Sequence, residues 1–149
     1  MHFAFSVEYK FPTLNEIIRD SKLQSKGSIY ARKKREIEAA IQEGIHFGGL
    51  QVTPEDWKFF YKVEQAIEDS IKIDQLPMGK VNVNLLWHEK TRKRDPDNVS
   101  VAGKFILDAL VKEGILSCDS HKSIHSIHHH FSYGEKNAVY VMLEEVDEH

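Results

Sequence analysis

Along the first ten residues, Phe3, Phe5, Val7, Tyr9 and Phe11 alternate with His2, Ala4, Ser6, Glu8 and Lys10. A period of two marks a strand with one buried face, and Pro12 closes it. Thr13 and Glu16 form a capping box, in which each side chain can satisfy an orphan backbone N–H, so a short helix is predicted from Leu14. Gly27 then interrupts. Residues 28–43 read as a second helix ending near Gly44, with Ile37, Ala40 and Ile41 as its apolar stripe. Residues 44–52, with Gly48 and Gly49, read as a loop. Thr53-Pro54-Glu55-Asp56 combines a capping hydroxyl, a proline at the first helical position and first-turn acids, which is a strong helix start. Trp57, Phe60, Ile67 and Ile71 mark one face of that helix, and Pro77 and Gly79 close it.

Val81, Val83, Leu85 and Trp87 next alternate with Asn82, Asn84, Leu86 and His88, which predicts a second strand with a mostly polar outer face. After Asn98 the stretch VSVAGKFILDALVKEG reads as one helix, with Val101, Phe105 and Ala109 near one side and Gly114 as its C-terminal cap. Residues 124–131 and 138–146 read as two final strands joined around Tyr133-Gly134. There is no internal repeat and no interdomain linker. The order strand, helices, strand, helix, strand, strand predicts an α/β (mixed α+β) fold: a single domain over residues 1–149, with a small mixed β-sheet backed by helices. The polar outer positions predict that helices cover one face and leave the other for a partner or a second copy.

Composition narrows the class. The chain is 149 residues long, 41% hydrophobic and 29% charged, a balance that excludes the disordered class and allows a core of its own. No apolar run approaches the roughly 18–20 residues needed to span a bilayer. The opening MHFAFSVEYKF lacks the basic start and cleavage site of a signal peptide. The single cysteine, Cys118, excludes an internal disulfide and fits a reducing compartment. A cytoplasmic protein without membrane contact is expected. The net charge of −3 argues mildly against wholesale nucleic-acid binding, but distribution matters more than the total. Glu144, Glu145, Asp147 and Glu148 read as a solvated acidic tail. The bases gather elsewhere, as Arg32, Lys33, Lys34 and Arg35 in one run and Lys90, Arg92, Lys93 and Arg94 in another.

The second run leads directly into Asp95-Pro96-Asp97-Asn98. Proline pushes Asp95 toward an extended conformation, and if Asp97 is extended too, both carboxylates point the same way. Such a pair repels unless a cation sits between its members. Hard oxygen ligands at this spacing suit Mg²⁺, with Mn²⁺ as an alternative, and the adjacent bases suit a phosphate. The same four residues also make a good turn and helix start, with Asp97 or Asn98 as N-cap. On these residues alone both readings stand.

The wider context is RDPDN, then Lys104, then Asp108-Ala109-Leu110, then Gly114, then Asp119. This order resembles the RusA family of Holliday-junction resolvases, and Pro12-Thr13-Leu14-Asn15-Glu16 is similar to the P-x-L-N-E start of its phage members. The resemblance covers the first thirty-odd residues and the chain from about Val81 onward. It implies a RusA-like fold, Asp95 and Asp97 as paired metal ligands, Asp119 as the third acid and Lys104 as the catalytic lysine. Two features depart from the family pattern. The interval between Asp97 and the D-A-L step is longer than in the best-known member, and Cys118 stands where the family often has a second acid beside the third ligand.

The resemblance further implies a Mg²⁺-dependent endodeoxyribonuclease that cuts four-way junctions by paired symmetric nicks in DNA recombination and repair, acting as a homodimer on branched DNA. Arg32, Lys33, Lys34, Arg35, Lys90, Arg92, Lys93 and Arg94 are then the expected DNA contacts. Asp108, four residues after Lys104 on the same helix face, is expected to pair with it. His125, His128, His129 and His130 complete no recognisable zinc spacing and read as polar strand positions, at a subunit contact or near DNA. Two alternatives remain: a non-catalytic junction-binding protein, and another metal-dependent phosphodiesterase.

Overall fold

In the computed structural model, which describes residues 2–22, 26–46 and 73–146, the opening alternation forms strand β1 (His2–Val7). The strand is shorter than its pattern. Residues 8–13 leave the sheet, yet Phe11 stays buried and meets Trp87 edge-on at 5.7 Å. Helix α1 (Leu14–Lys22) starts where the capping box predicts, and the Glu16 amide donates to Thr13 Oγ1 at 3.3 Å. Helix α2 (Lys26–His46) runs through both Gly27 and Gly44. Gly44 does not end it: a β-carbon there would lie 2.5 Å from the Ser6 carbonyl oxygen, so the glycine lets α2 press directly onto β1. The helix expected from Thr53 lies outside the described residues, and a single 3₁₀ turn (Ile73–Gln75) follows.

Strand β2 (Val81–Glu89) is followed by two helices where one is predicted, α3 (Pro96–Ser100) and α4 (Gly103–Lys112). The break falls at Val101 and Ala102. Ala102 is fully buried and its amide bonds the Val99 carbonyl, so a turn rather than a continuous helix carries the chain back onto the sheet. Gly114 closes α4 as predicted, with a φ of 76° that a side chain rarely adopts. Strands β3 (Ile124–Tyr133) and β4 (Ala138–Glu145) complete the chain.

The described residues form one mixed four-stranded sheet in the order β1-β4-β2-β3. β4 is antiparallel to both β1 and β2, while β3 runs parallel to β2. The fold is therefore mixed α and β. The two final strands follow each other in sequence but do not pair, because β2 lies between them. Side-chain chemistry explains the order. Ala138, Val139, Tyr140, Val141, Met142 and Leu143 are all buried, which suits a central strand covered on both faces. β3, with its exposed histidines, suits an edge.

The main core lies on the helix side, where Val83, Leu85, Trp87, Val141 and Leu143 meet Ile37, Ile41, Ile106 and Leu110. Burying each such side chain contributes roughly 1.5–3 kcal/mol. The opposite face is not the open polar surface expected. Leu86, Ala138, Tyr140 and Met142 form a second apolar cluster there, at most 5% exposed. The predicted acidic tail also changes character. Glu144 and Glu145 belong to β4, Glu144 lying 3.1 Å from His2 Nε2 and Glu145 accepting the Gly79 amide at 2.8 Å.

Candidate functional site

At the C-terminal end of β2 the chain turns through residues 90–95 into α3. Glu89, the last residue of the strand, is buried. Burial raises its carboxyl above the usual range, while Arg94 and Lys10 oppose the shift and Glu16 adds to it. Arg94 NH1 lies 3.0 Å from Glu89 Oε1 and donates to Oε2 at 3.2 Å. Its NH2 donates to the Phe11 carbonyl.

Asp95 is the N-cap of α3, with an extended backbone (φ −67°, ψ 140°) and Pro96 at the first helical position. Proline sets both features. The cap is thus neither Asp97 nor Asn98. Its side chain makes no capping hydrogen bond; only its carbonyl serves the helix, accepting from the Val99 amide at 3.0 Å. The Asp95 carboxylate is exposed and has no partner among the described residues, so the helix start leaves it available as a ligand. The backbone of Asp97 lies in the first turn of α3, and its side chain lies outside the described residues.

The expected DNA contacts divide. Lys90, Arg92 and Lys93 are exposed around the turn, and the Arg92 guanidinium sits 4.4 Å from the centre of the Tyr133 ring. Arg94 is different: its side chain is 10% exposed and engaged with Glu89 and Phe11, so its guanidinium is turned into the protein. In α2, Arg32, Lys34 and Arg35 are exposed and Lys33 is partly so. Glu36, next in sequence, accepts from the Tyr9 hydroxyl at 3.4 Å. Tyr9 lines the same hollow as Phe11, Trp87, Glu89 and Val99, so this basic run approaches the end of the sheet that carries Asp95.

Asp119 lies elsewhere. β3 runs parallel to β2, so the segment before β3 sits at the N-terminal end of β2, where the Val81 amide donates to the Ser123 carbonyl at 2.9 Å. The nine residues of β2 separate that end from the Asp95 turn, roughly 26 Å at about 3.3 Å per residue. Among the described residues no group of three or more His, Cys, Asp or Glu side chains converges on a metal position. One chain therefore brings together Asp95 and exposed bases, and holds Asp119 apart.

Lys104 is exposed in the first turn of α4, beside Gly103, whose backbone faces Leu85, Trp87 and His129. It has no ion pair with Asp108 among the described residues. Asp108 instead lines a groove between α2 and α4 with Arg35, Glu38, Gln42 and Lys112. Cys118 hydrogen bonds with Ser120 and Ser123 at 3.2 Å, and these contacts lower its thiol from 9.0 to about 7.

The histidines of β3 are split between the two faces of an edge strand. His129 accepts a hydrogen bond from the Trp87 indole N–H at 2.9 Å and stacks on that ring. Burial, then His130 and His128, lower its pKa. Glu89 and Lys10 belong to the site end but were not read as site residues from the sequence, and Glu16 was read only as a capping-box acid; the signal for Glu89 is an acid at an inward-facing position of a strand whose other inward positions are apolar. Comparison with family models and with curated proteins finds no match. No helix among the described residues is long and apolar enough to cross a membrane.

Proposed function

We propose that this chain is a Mg²⁺-dependent, structure-selective endonuclease of the RusA type that resolves four-way DNA junctions in recombination and repair. The observation that carries the reading is Asp95: an exposed carboxylate at a helix start, with no partner among the described residues, in the same turn as Lys90, Arg92 and Lys93. A turn built only to begin α3 would use that side chain as the cap. The bases hold the phosphate backbone, and their contribution is expected to fall with added salt. Asp95 and Asp97 are oxygen donors of the type a hard divalent cation takes. A cation held there supplies polarisation of the scissile phosphate and a bound water of lowered pKa. Lys104 neutralises charge that develops on the phosphate.

The position of Asp119 gives the homodimer a role beyond symmetry. β3 is an edge strand, and a two-fold axis perpendicular to the sheet would make two β3 edges pair antiparallel. That pairing lays the segment before β3 of one copy beside the C-terminal end of β3 in the other. Each Asp119 then approaches the Asp95 turn of the partner, and each junction-cutting unit has two sites for two symmetric nicks. The cytoplasm is the compartment proposed.

The test is cleavage of a labelled four-way junction against linear duplex of matching sequence, with Mg²⁺ and with chelator. Paired metal-dependent nicks confined to the junction support the reading. Tight junction binding without cleavage in Mg²⁺ or Mn²⁺ supports a binding protein instead, and equal cleavage of linear duplex supports a different phosphodiesterase.

A further inference from the structure

Arg94 is the residue immediately before Asp95, and it is the least exposed base of its run. Its guanidinium reaches two acceptors from different parts of the chain: the Glu89 carboxylate at the end of β2 and the Phe11 carbonyl in the segment between β1 and α1. A planar fork can hold two such acceptors in fixed directions, which an ammonium cannot do as well. The arrangement is costly. Both charges are taken out of water, and among the described residues Arg94 Nε has no hydrogen-bond partner and Glu89 Oε1 has only its ionic contact with Arg94 NH1. Pro96 fixes the backbone on the other side of Asp95. Asp95 is thus bracketed between an anchored side chain and a proline ring.

We infer that Arg94 is a positioning residue, clamped by Glu89 and the Phe11 carbonyl, that sets where the Asp95 carboxylate stands, and is not a contact to DNA. The inference rests on the proposed metal site for its functional meaning. The variants are Glu89→Gln/Arg94→Gln, which leaves no unpaired buried charge, and Arg94→Lys, which keeps the charge and loses the fork. Lys93→Gln serves as the phosphate-contact control.

Three readings separate the roles. Junction affinity without divalent metal is expected to stay within about twofold in the Arg94 variants and to fall in Lys93→Gln, with a salt slope smaller by about one. Hydrogen exchange of the Val99 amide, which bonds the Asp95 carbonyl, is expected to speed at least about tenfold in the double variant and to stay unchanged in Lys93→Gln. The Mg²⁺ concentration for half-maximal cleavage is expected to rise on the order of 10–100-fold in Arg94→Lys, because a turn displaced by about 1 Å presents Asp95 poorly to the cation. A normal Mg²⁺ requirement in Arg94→Lys, or unchanged exchange in a folded double variant, would overturn the inference. So would a loss of junction affinity matching that of Lys93→Gln. If the wild-type chain neither binds nor cuts a junction, the proposed function fails. Hydrogen exchange then still decides whether Arg94 holds the turn.

Discussion

The two ends of β2 are finished by different chemistry. At its C-terminal end a glutamate and an arginine are buried against each other under Tyr9, Phe11 and Trp87. At its N-terminal end Ser117 and Cys118 each bond Ser123, Cys118 also bonds Ser120, and the neighbouring Asp119 is exposed. A hydroxyl network adapts, because each O–H rotates to suit its partner. A buried ion pair does not adapt, since each charge is stabilised only while the other stays in place. The acid at the first end thus directly follows a buried ion pair, and the acid at the second end projects from a loop held by hydroxyl and thiol contacts.

The contrast is most exposed to failure at the acids themselves. Asp95→Asn and Asp119→Asn are each expected to lower junction cleavage by more than the ~100-fold caused by loss of an outer partner, with junction binding retained. Asp97→Asn should behave alike, and near-normal cleavage by that variant would remove the metal-site assignment. Mixing inactive Asp95→Asn and Asp119→Asn protein then sharpens the comparison. If each site draws on both copies, random exchange leaves half the dimers mixed, each with one intact site, so about a quarter of wild-type nicking sites return. No recovery after verified subunit exchange means that both acids serve one chain's site.

Smaller effects come from titration. The folded pKa of His129 lies below the ordinary 6.5, chiefly through burial. The stability contributed by its neutral ring is complete above that value and is lost as pH falls through the lowered one. Trp87 fluorescence should therefore change on mild acidification while the Asp95 end keeps its exchange protection, and His129→Phe should abolish the change. At the other end, Cys118 should reach half its full alkylation rate with iodoacetamide near pH 7, not 9.0. The thiolate accepts the Ser120 and Ser123 hydroxyl hydrogens, so Ser120→Ala should move the profile upward.

The sequence made the elements legible where a repeat of side chains had one cause. β2 shows its period of two because Val81, Val83, Leu85 and Trp87 all face the same helices. The pattern of β1 overran the strand because Phe11 stays buried, and Tyr9 partly so, after the backbone leaves the sheet, so hydrophobic spacing did not report hydrogen bonding. The break between α3 and α4 was hidden because Val101 and Ala102 suit a helix as well as a turn. Strand order was not written locally either: β4 inserts between β1 and β2 through long-range pairing. At the site, the acids and bases were recognisable by type. That Arg94 is spent on Glu89 was not, because nothing in a run of four bases distinguishes the buried one from its neighbours.

The position of β4 has a consequence for the newly made chain. Among the described residues β1 pairs only with β4, and His2 and Glu144, which face each other across that pair, are 142 residues apart. At synthesis rates of about 5–20 residues per second, β1 leaves the ribosome roughly 7–28 s before the strand that will cover its edge exists. Through that interval Phe3 and Phe5 need a temporary shelter, in α2 or in a chaperone. A ribosome stalled before residue 138 would leave both β1 and β2 with open edges, a form prepared to aggregate and not to wait.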